Sequence, residues 1–260
     1  KKFDNWSPPS FELTPKQIAE ASAKCDEQLR RDTLFCQNNV RNFAKAQLAT
    51  MHNLEVETYP GVFLGHKHIP VHSVGSYIPG GVYPMFGSAQ MSIIPAKVAG
   101  VESVIACTPP TRDGSYYPAT IHAIKEAGAD RIFVLGGVQA FALMAFGMGI
   151  VEPVSILCGA GNKYVAEAKR QLFGRCGIDL LAGPTEIGII ADDKSDPALV
   201  ACDLLGQAEH DPNSGQILIC LSEWHAKAVM AEIEKQMAVL PTREIAQQSF
   251  RDYGQVLVAS

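Results

Sequence analysis

The sequence predicts an α/β protein built on largely parallel β-sheet. Three observations predict it. From about residue 101 onward, short apolar runs alternate with helical patterns of roughly ten residues, the mark of βαβ units. Glycines cluster where a run ends and a helix begins, as in Leu135-Gly136-Gly137 and Cys158-Gly159-Ala160-Gly161. The composition is globular, 47% hydrophobic and 19% charged over 260 residues, which excludes disorder, collagen and coiled coil. At about 150 residues per domain the chain is one large domain or two modest ones.

Lys1 to Leu13 is polar, carries prolines and is expected to lie on a surface. Thr14-Pro15 starts a helix, with a hydroxyl N-cap and Pro in the first turn. Helix then runs to about Met51, broken near Asp26 or Arg31, with Phe35, Val40, Phe43 and Leu48 as its apolar side. Leu54 to Ile69 alternates through Val56, Tyr59, Val62 and Leu64, which reads as strands with a turn at Pro60-Gly61. Gly75 to Gly81 is a tight loop, and a helix follows from about Ser88 to Ala99. Strands are expected at 101–107, 131–135, 154–157 and 187–191. Helices between them are expected at 119–127, 138–146 and 163–173, with another beginning at Asp196-Pro197. Ser222 caps a further helix with Val229, Ile233 and Met237 on one side. Gly254 to Ser260 reads as a strand cut before its turn. With Lys1 in place of Met, the sequence is expected to be part of a longer chain or a shortened relative of one.

Charge and run lengths exclude whole classes. The net charge of −5 argues against nucleic acid, which needs a basic patch. The longest apolar stretch, about Val134 to Val151, contains Gln139 and several glycines, so no membrane span is expected. Cys25, Cys36, Cys107, Cys158, Cys176, Cys202 and Cys220 are scattered and form no C-x-x-C pair. They read as buried, reduced thiols of a cytoplasmic protein.

Several motifs could carry chemistry. Gly159-Ala-Gly161-Asn-Lys-Tyr164 has two glycines of a dinucleotide fingerprint and Tyr where the third belongs. It is a nucleotide-compatible loop or an ordinary βα turn. Gln207 and His210 stand three apart near a helix end, with Asp203 four residues earlier. Amide, imidazole and carboxylate on one face suit a divalent metal, or simply form a polar helix end. His66, His68 and His72 lack a neighbouring carboxylate or Cys and read as solvated. Asp192-Asp193 reads as a solvated strand-end pair. Walker A and Gly-x-Ser-x-Gly sequences are absent, which argues against a nucleoside triphosphatase loop and a hydrolase elbow.

Six collinear motifs together are specific. They are Val74-Gly-Ser-Tyr77-Ile-Pro-Gly-Gly81, Ile94-Pro-Ala-Lys97-Val-Ala-Gly100-Val, Gly136-Gly-Val-Gln139-Ala, the run from Gly161 to Gln171, the run from Ile178 to Glu186, and Asp203 to His210. This series resembles the histidinol dehydrogenase family from about Phe11 to the last residue. The stretches Glu55 to Pro70 and Leu172 to Asp179 look more like its sulfopropanediol 3-dehydrogenase branch.

The resemblance implies a zinc- and NAD-dependent oxidation of a primary alcohol to a carboxylate through an aldehyde, with 2,3-dihydroxypropane-1-sulfonate or L-histidinol as substrate. It implies two incomplete Rossmann-like domains, one inserted in the other: 1–76 with 186–260, and an NAD-binding 77–185. By motif match, Tyr77, Gln139 and Asn162 would contact NAD. Gln207 and His210 would be zinc ligands, and Thr185, Gln207 and His210 would meet substrate. The resemblance also implies a homodimer. It places a catalytic Glu–His pair and the remaining zinc ligands, an Asp and a His, downstream of Ser260. Two departures stand out: Ala160 where the family usually has Pro, and Asp211 where Gly is common. The rival expectation is a truncated or repurposed relative without dehydrogenase activity, acting as a binding or assembly subunit or using the pocket for non-redox chemistry.

Overall fold

Thr14 opens the first helix, α1 (Pro15–Ala23), through a full capping box: Gln17 N donates to Thr14 Oγ1 at 3.3 Å, and Thr14 N donates to Gln17 Oε1 at 2.9 Å. The chain then breaks where the side chain of Asp26 accepts from Leu29 N at 2.7 Å and starts α2 (Glu27–Leu48). Helix α2 does not bury the side its apolar spacing suggests. Thr33, Gln37 and Ala44 are buried, while Phe35 and Phe43 are 68% and 67% exposed. Gln37 decides the face, because its Nε2 donates to Ala123 O at 2.9 Å. Strands β1 (Leu54–Tyr59) and β2 (Val62–His66) form an antiparallel hairpin around Pro60-Gly61. Gly61 takes φ +83° at that turn. Both strands are exposed throughout.

The computed structural model describes residues 6–80, 83–181 and 185–259. A regular series follows the hairpin: β3 (Ser73–Tyr77), α3 (Gly87–Val98), β4 (Ser103–Thr108), α4 (Pro118–Ala127), β5 (Arg131–Val134), α5 (Gly137–Phe146), β6 (Ile156–Cys158), α6 (Lys163–Leu172) and β7 (Gly177–Ile178). The strand order is β5-β4-β3-β6-β7, and every neighbouring pair is parallel. Alternate residues face opposite cores. Val104, Ala106 and Ile132 join Ile93, Ile121 and Ile124 on one side. Ile105, Cys107 and Phe133 join Phe141, Met144 and Val165 on the other. Coverage of both faces explains why these strands read as continuous apolar runs.

The N-terminal arm does more than lie on a surface. Leu13 N donates to Ile132 O at 2.9 Å, and Val134 N donates to Phe11 O at 2.8 Å. The arm thereby covers the open edge of β5, whose backbone groups would otherwise be free to pair with another chain. Glu12 accepts from Arg131 Nε at 2.7 Å and from Nη2 at 2.6 Å. Those hydrogen bonds hold the Glu12 carboxyl below its ordinary 4.5, against the opposing pull of burial. A depressed carboxyl stabilises the fold above its unfolded value and stops doing so as pH falls through its folded value. The chain is therefore expected to be more stable than Glu12→Gln at neutral pH, with the gap closing below about pH 4.5. Urea titrations across that range check it, and a gap that persists in acid would refute the assignment.

The second unit holds β8 (Ile187–Ala191), α7 (Pro197–Ala208), β9 (Gln216–Cys220), α8 (Glu223–Met237), α9 (Arg243–Tyr253) and β10 (Gly254–Val258). Its three strands are parallel in the order β10-β9-β8. Leu204, Leu205, Leu218, Val229 and Ile233 form its core. Asp196 and Ser222 cap α7 and α8 through side chains that accept from Ala198 N and His225 N.

Contacts divide the chain into Lys1–Leu181 and Ala182–Ser260. This differs from the expected grouping of 1–76 with 186–260. Strand β3 is the middle strand of the five-stranded sheet, the arm pairs with β5, and α1 and α2 pack on α4 and α3. Those contacts hold the arm from Phe11, α1, α2 and β3 with 77–181, so these parts group with the segment that follows them in sequence. Among the described residues, no helix is long and apolar enough to cross a membrane.

The thiols are all free. Four are buried as expected, but Cys36 and Cys202 are exposed and Cys158 is half-buried. Burial pushes the Cys107 thiol up to about 12.

Candidate functional site

In the first unit the chain adds β4 and β5 on one side of β3 and then β6 and β7 on the other. The carboxyl ends of β3 and β6 thus flank a topological switch point, where open α/β sheets bind ligands. Tyr77 ends β3 and is buried. Its ring lies 5.1 Å from that of Phe141, and its Oη accepts from Gly137 N at 3.0 Å. The end of β3 is thereby tied to the first turn of α5. Gly136 is required beside it, because a Cβ there would stand 2.7 Å from Pro109 Cβ. Gln139 lies in the same first turn and is exposed.

The β6–α6 turn comes to the same place. Gly159 has φ +126°, and a Cβ on it would overlap the carbonyl oxygen of Tyr77. A Cβ on Gly161 would stand 2.8 Å from Val165. Asn162 caps α6: its Oδ1 accepts from Tyr164 N at 3.0 Å and from Val165 N at 3.2 Å. Its oxygen is thus committed to the cap, and its amide NH2 has no partner among the described residues. Tyr77 therefore touches the approaches to two helix N-termini, α5 and α6. Helix N-termini offer backbone N–H groups and a positive dipole end to an anion.

Beneath this turn lies an ion pair to which the sequence reading gave no role. Lys169 is 1% exposed. Its ammonium donates to Asp179 Oδ1 and, at 2.9 Å, to Gly159 O. Asp179 Oδ2 accepts from Gly159 N at 2.8 Å, and Oδ1 accepts from Leu180 N at 2.7 Å. A signal was present: Val165, Ala168, Lys169 and Leu172 share the buried face of α6. Burial, then the Asp179 charge, pushes the neighbouring Cys158 thiol up to about 11, which makes it a poor nucleophile near neutral pH.

The second unit holds the other expected residues. Gln207 sits in the last turn of α7. Its Nε2 donates to Thr185 O at 2.9 Å, to Thr185 Oγ1 at 2.7 Å and to Ser214 Oγ at 3.4 Å. The amide is thereby oriented, with Oε1 left for an acceptor's role. His210 lies two residues beyond α7 and is exposed; its backbone N donates to Gln207 O at 3.2 Å. An amide oxygen and an imidazole are donors that zinc accepts, and they supply two of the four a closed site needs. Among the described residues, no three His, Cys, Asp or Glu side chains gather as a metal cluster. Asp211 adds no free carboxylate oxygen pair, since its Oδ1 accepts from Asn213 N and Nδ2 at 2.9 and 2.8 Å. These residues stand before β8 and between α7 and β9, at the amino edge of their sheet. The rule about carboxyl edges would not have found them.

Contrary to the expectation of no neighbouring carboxylate, His72 Nδ1 lies 3.1 Å from Glu102 Oε2, an exposed pair brought together by the close approach of the segments before β3 and β4. Strand β2 stops at His66, and the rings of His66 and His68 meet edge-on at 5.2 Å. Asp192 serves a local turn, its Oδ1 accepting from Lys194 N and Ser195 N, while Asp193 accepts from the distant Ser222 Oγ at the start of α8.

Comparison with known proteins identifies the family and the fold. The family model "Histidinol dehydrogenase" matches residues 1–260. A "Histidinol dehydrogenase homolog" of Shouchella clausii is 52% identical over 258 residues, covering 99% of this chain and 61% of that protein. The "Sulfopropanediol 3-dehydrogenase" of Ruegeria pomeroyi is 44% identical over 261 residues, covering 100% of this chain and 60% of that protein. The crystal structure of histidinol dehydrogenase from Elizabethkingia anophelis superposes with a TM-score of 0.94 at 32% identity, over 100% of this chain and 60% of that one. The chain thus spans about 60% of the length of these relatives.

Proposed function

The chain belongs to the histidinol dehydrogenase family, and from that premise we propose that its protein is a zinc- and NAD-dependent dehydrogenase taking a primary alcohol to a carboxylate through an aldehyde. The alcohol is 2,3-dihydroxypropane-1-sulfonate or L-histidinol, and the protein works as a cytoplasmic homodimer. The observation that carries the reading is Tyr77 at the switch point, joined to α5 through Gly137 N and in contact with Gly159 before α6.

In this reading the dinucleotide belongs to the first unit. Tyr77 and the Asn162 amide orient it, Gln139 reaches it from the first turn of α5, and the two helix N-termini favour its phosphates. Gln207 and His210 in the second unit hold the metal. When bound, zinc supplies Lewis-acid polarisation of the substrate hydroxyl and NAD supplies the hydride acceptor. Thr185 has a definite part. Its Oγ1 accepts from Gln207 Nε2, so its own O–H is left to donate to a substrate oxygen. The same contact keeps Gln207 Oε1 facing away from Thr185, as a ligand oxygen must. The proton acceptor for the hydroxyl is assigned to the Glu–His pair of the family pattern.

Calorimetric titration of the chain with NAD tests the first half, and NADH formation by the longer protein with each alcohol, with and without a chelator, tests the second. Saturable NAD binding and chelator-sensitive NADH formation are expected. A folded chain that ignores NAD would sink the reading and favour a repurposed relative.

A further inference from the structure

We propose that Lys169 and Asp179 are a positioning pair that presets the Gly159–Asn162 turn for the dinucleotide, an inference that rests on the NAD reading above. Four hydrogen bonds converge on this pair. Both backbone groups of Gly159 are taken by it: Gly159 O accepts from Lys169 Nζ, and Gly159 N donates to Asp179 Oδ2. The two side chains are then joined to each other, and Leu180 N closes the arrangement on Asp179 Oδ1.

Gly159 is the residue that most needs such a hold. It lies beyond β6, so no strand ladder fixes its peptide planes. Its φ of +126° belongs to a region that glycine enters and leaves freely. Its Cα packs against the backbone of Tyr77, so a swing of either peptide plane would move the Asn162 cap relative to Tyr77. Fixing both planes fixes the distance between two residues that are to hold one ligand.

Packing alone does not explain a lysine here. Its neighbours on the buried face of α6 are Val165, Ala168 and Leu172, and an apolar side chain in its place would satisfy the core. A buried ion pair is generally no more stabilising than a well-packed apolar substitute. What the ammonium does, and a methyl group could not, is grip a loop carbonyl and a carboxylate that grips the same loop's N–H. A ligand site misplaced by about 1 Å can lose a hundredfold in performance, so a fixed turn has value that a filled core lacks.

The test uses the whole 260-residue chain and NAD. Lys169→Met is expected to weaken NAD binding about tenfold or more, and to speed amide hydrogen exchange at Gly159 and Leu180. Lys169→Arg, which keeps the charge, should recover part of the affinity. Asp179→Asn should weaken binding in the same direction and decides the matter if Lys169→Met does not fold. Ile121→Val, in the core on the opposite face of the sheet, should lower Tm and leave NAD affinity unchanged, which separates positioning from general loosening. Folded Lys169→Met or Asp179→Asn protein that binds NAD like the parent overturns the positioning proposal alone. A parent chain that does not bind NAD overturns the NAD reading, and this proposal with it.

Discussion

Gly159→Ala is expected to destabilise the first unit by about 3 kcal/mol and to abolish NAD binding. The estimate combines about 1–2 kcal/mol for a side chain at a φ that L-residues avoid with the cost of overpacking against a neighbour that cannot yield. The neighbour is the carbonyl of Tyr77, at the end of the middle strand of the sheet. Strand β3 is hydrogen-bonded on both sides, so it cannot withdraw without breaking a ladder. The new methyl must instead displace the turn, and with it the Asn162 cap and the Lys169 grip. Gly174→Ala is the internal comparison. Gly174 also has positive φ, at +96°, but a Cβ there meets nothing within 4 Å. Only the conformational cost of about 1 kcal/mol is expected, with NAD binding intact. Urea denaturation and NAD titration of the two variants provide the check. Equal losses in both would show that contact with Tyr77 is not what demands glycine at 159.

His210→Ala and Gln207→Leu are expected to lower alcohol oxidation by the longer protein at least about a hundredfold, a scale that outer-shell partners of a metal already reach. Bound zinc should fall in parallel. The proposed dinucleotide residues Tyr77, Gln139 and Asn162 all belong to the first unit, so NAD affinity should be unchanged. Thr185→Val should show an intermediate loss of about tenfold, because it removes one of the two Thr185 oxygens that orient the Gln207 amide. Elemental analysis, initial rates of NADH formation and NAD titration distinguish the three effects. A His210→Ala protein with full zinc and full rate would remove His210 from the metal site.

Much of the proposed dinucleotide site was legible because its signals are local. Gly136, Gly159 and Gly161 stand at strand–helix junctions, and Asn162 is a residue type that caps helices. Tyr77, Gln139 and Asn162 came from motif order, and the fold brings Tyr77 into contact with both turns. Gln207 and Thr185 were also named, but the bond between them was not. They are 22 residues apart, and no period or motif spacing specifies which donor meets which acceptor.

The sequence by itself determined the alternation of strands and helices from about residue 101 onward, the caps at Thr14 and Ser222, the helix start at Asp196-Pro197 and the glycine-rich strand–helix junctions. Each of these follows from residues within a few positions of one another, where chain geometry limits the choices. Gly75–Tyr77, by contrast, reads as loop in the sequence and belongs to the middle strand β3 in the structure. Tertiary structure alone decided that Gln37 and not Phe35 or Phe43 faces inward, that the N-terminal arm closes the edge of β5, and that α1, α2 and β3 join the five-stranded unit. It also decided that Lys169 meets Asp179 and that Glu12 meets Arg131, 119 residues away. Such pairings depend on which surfaces the packed sheet leaves open and which buried charge needs a partner. Those conditions arise only once distant segments have come together.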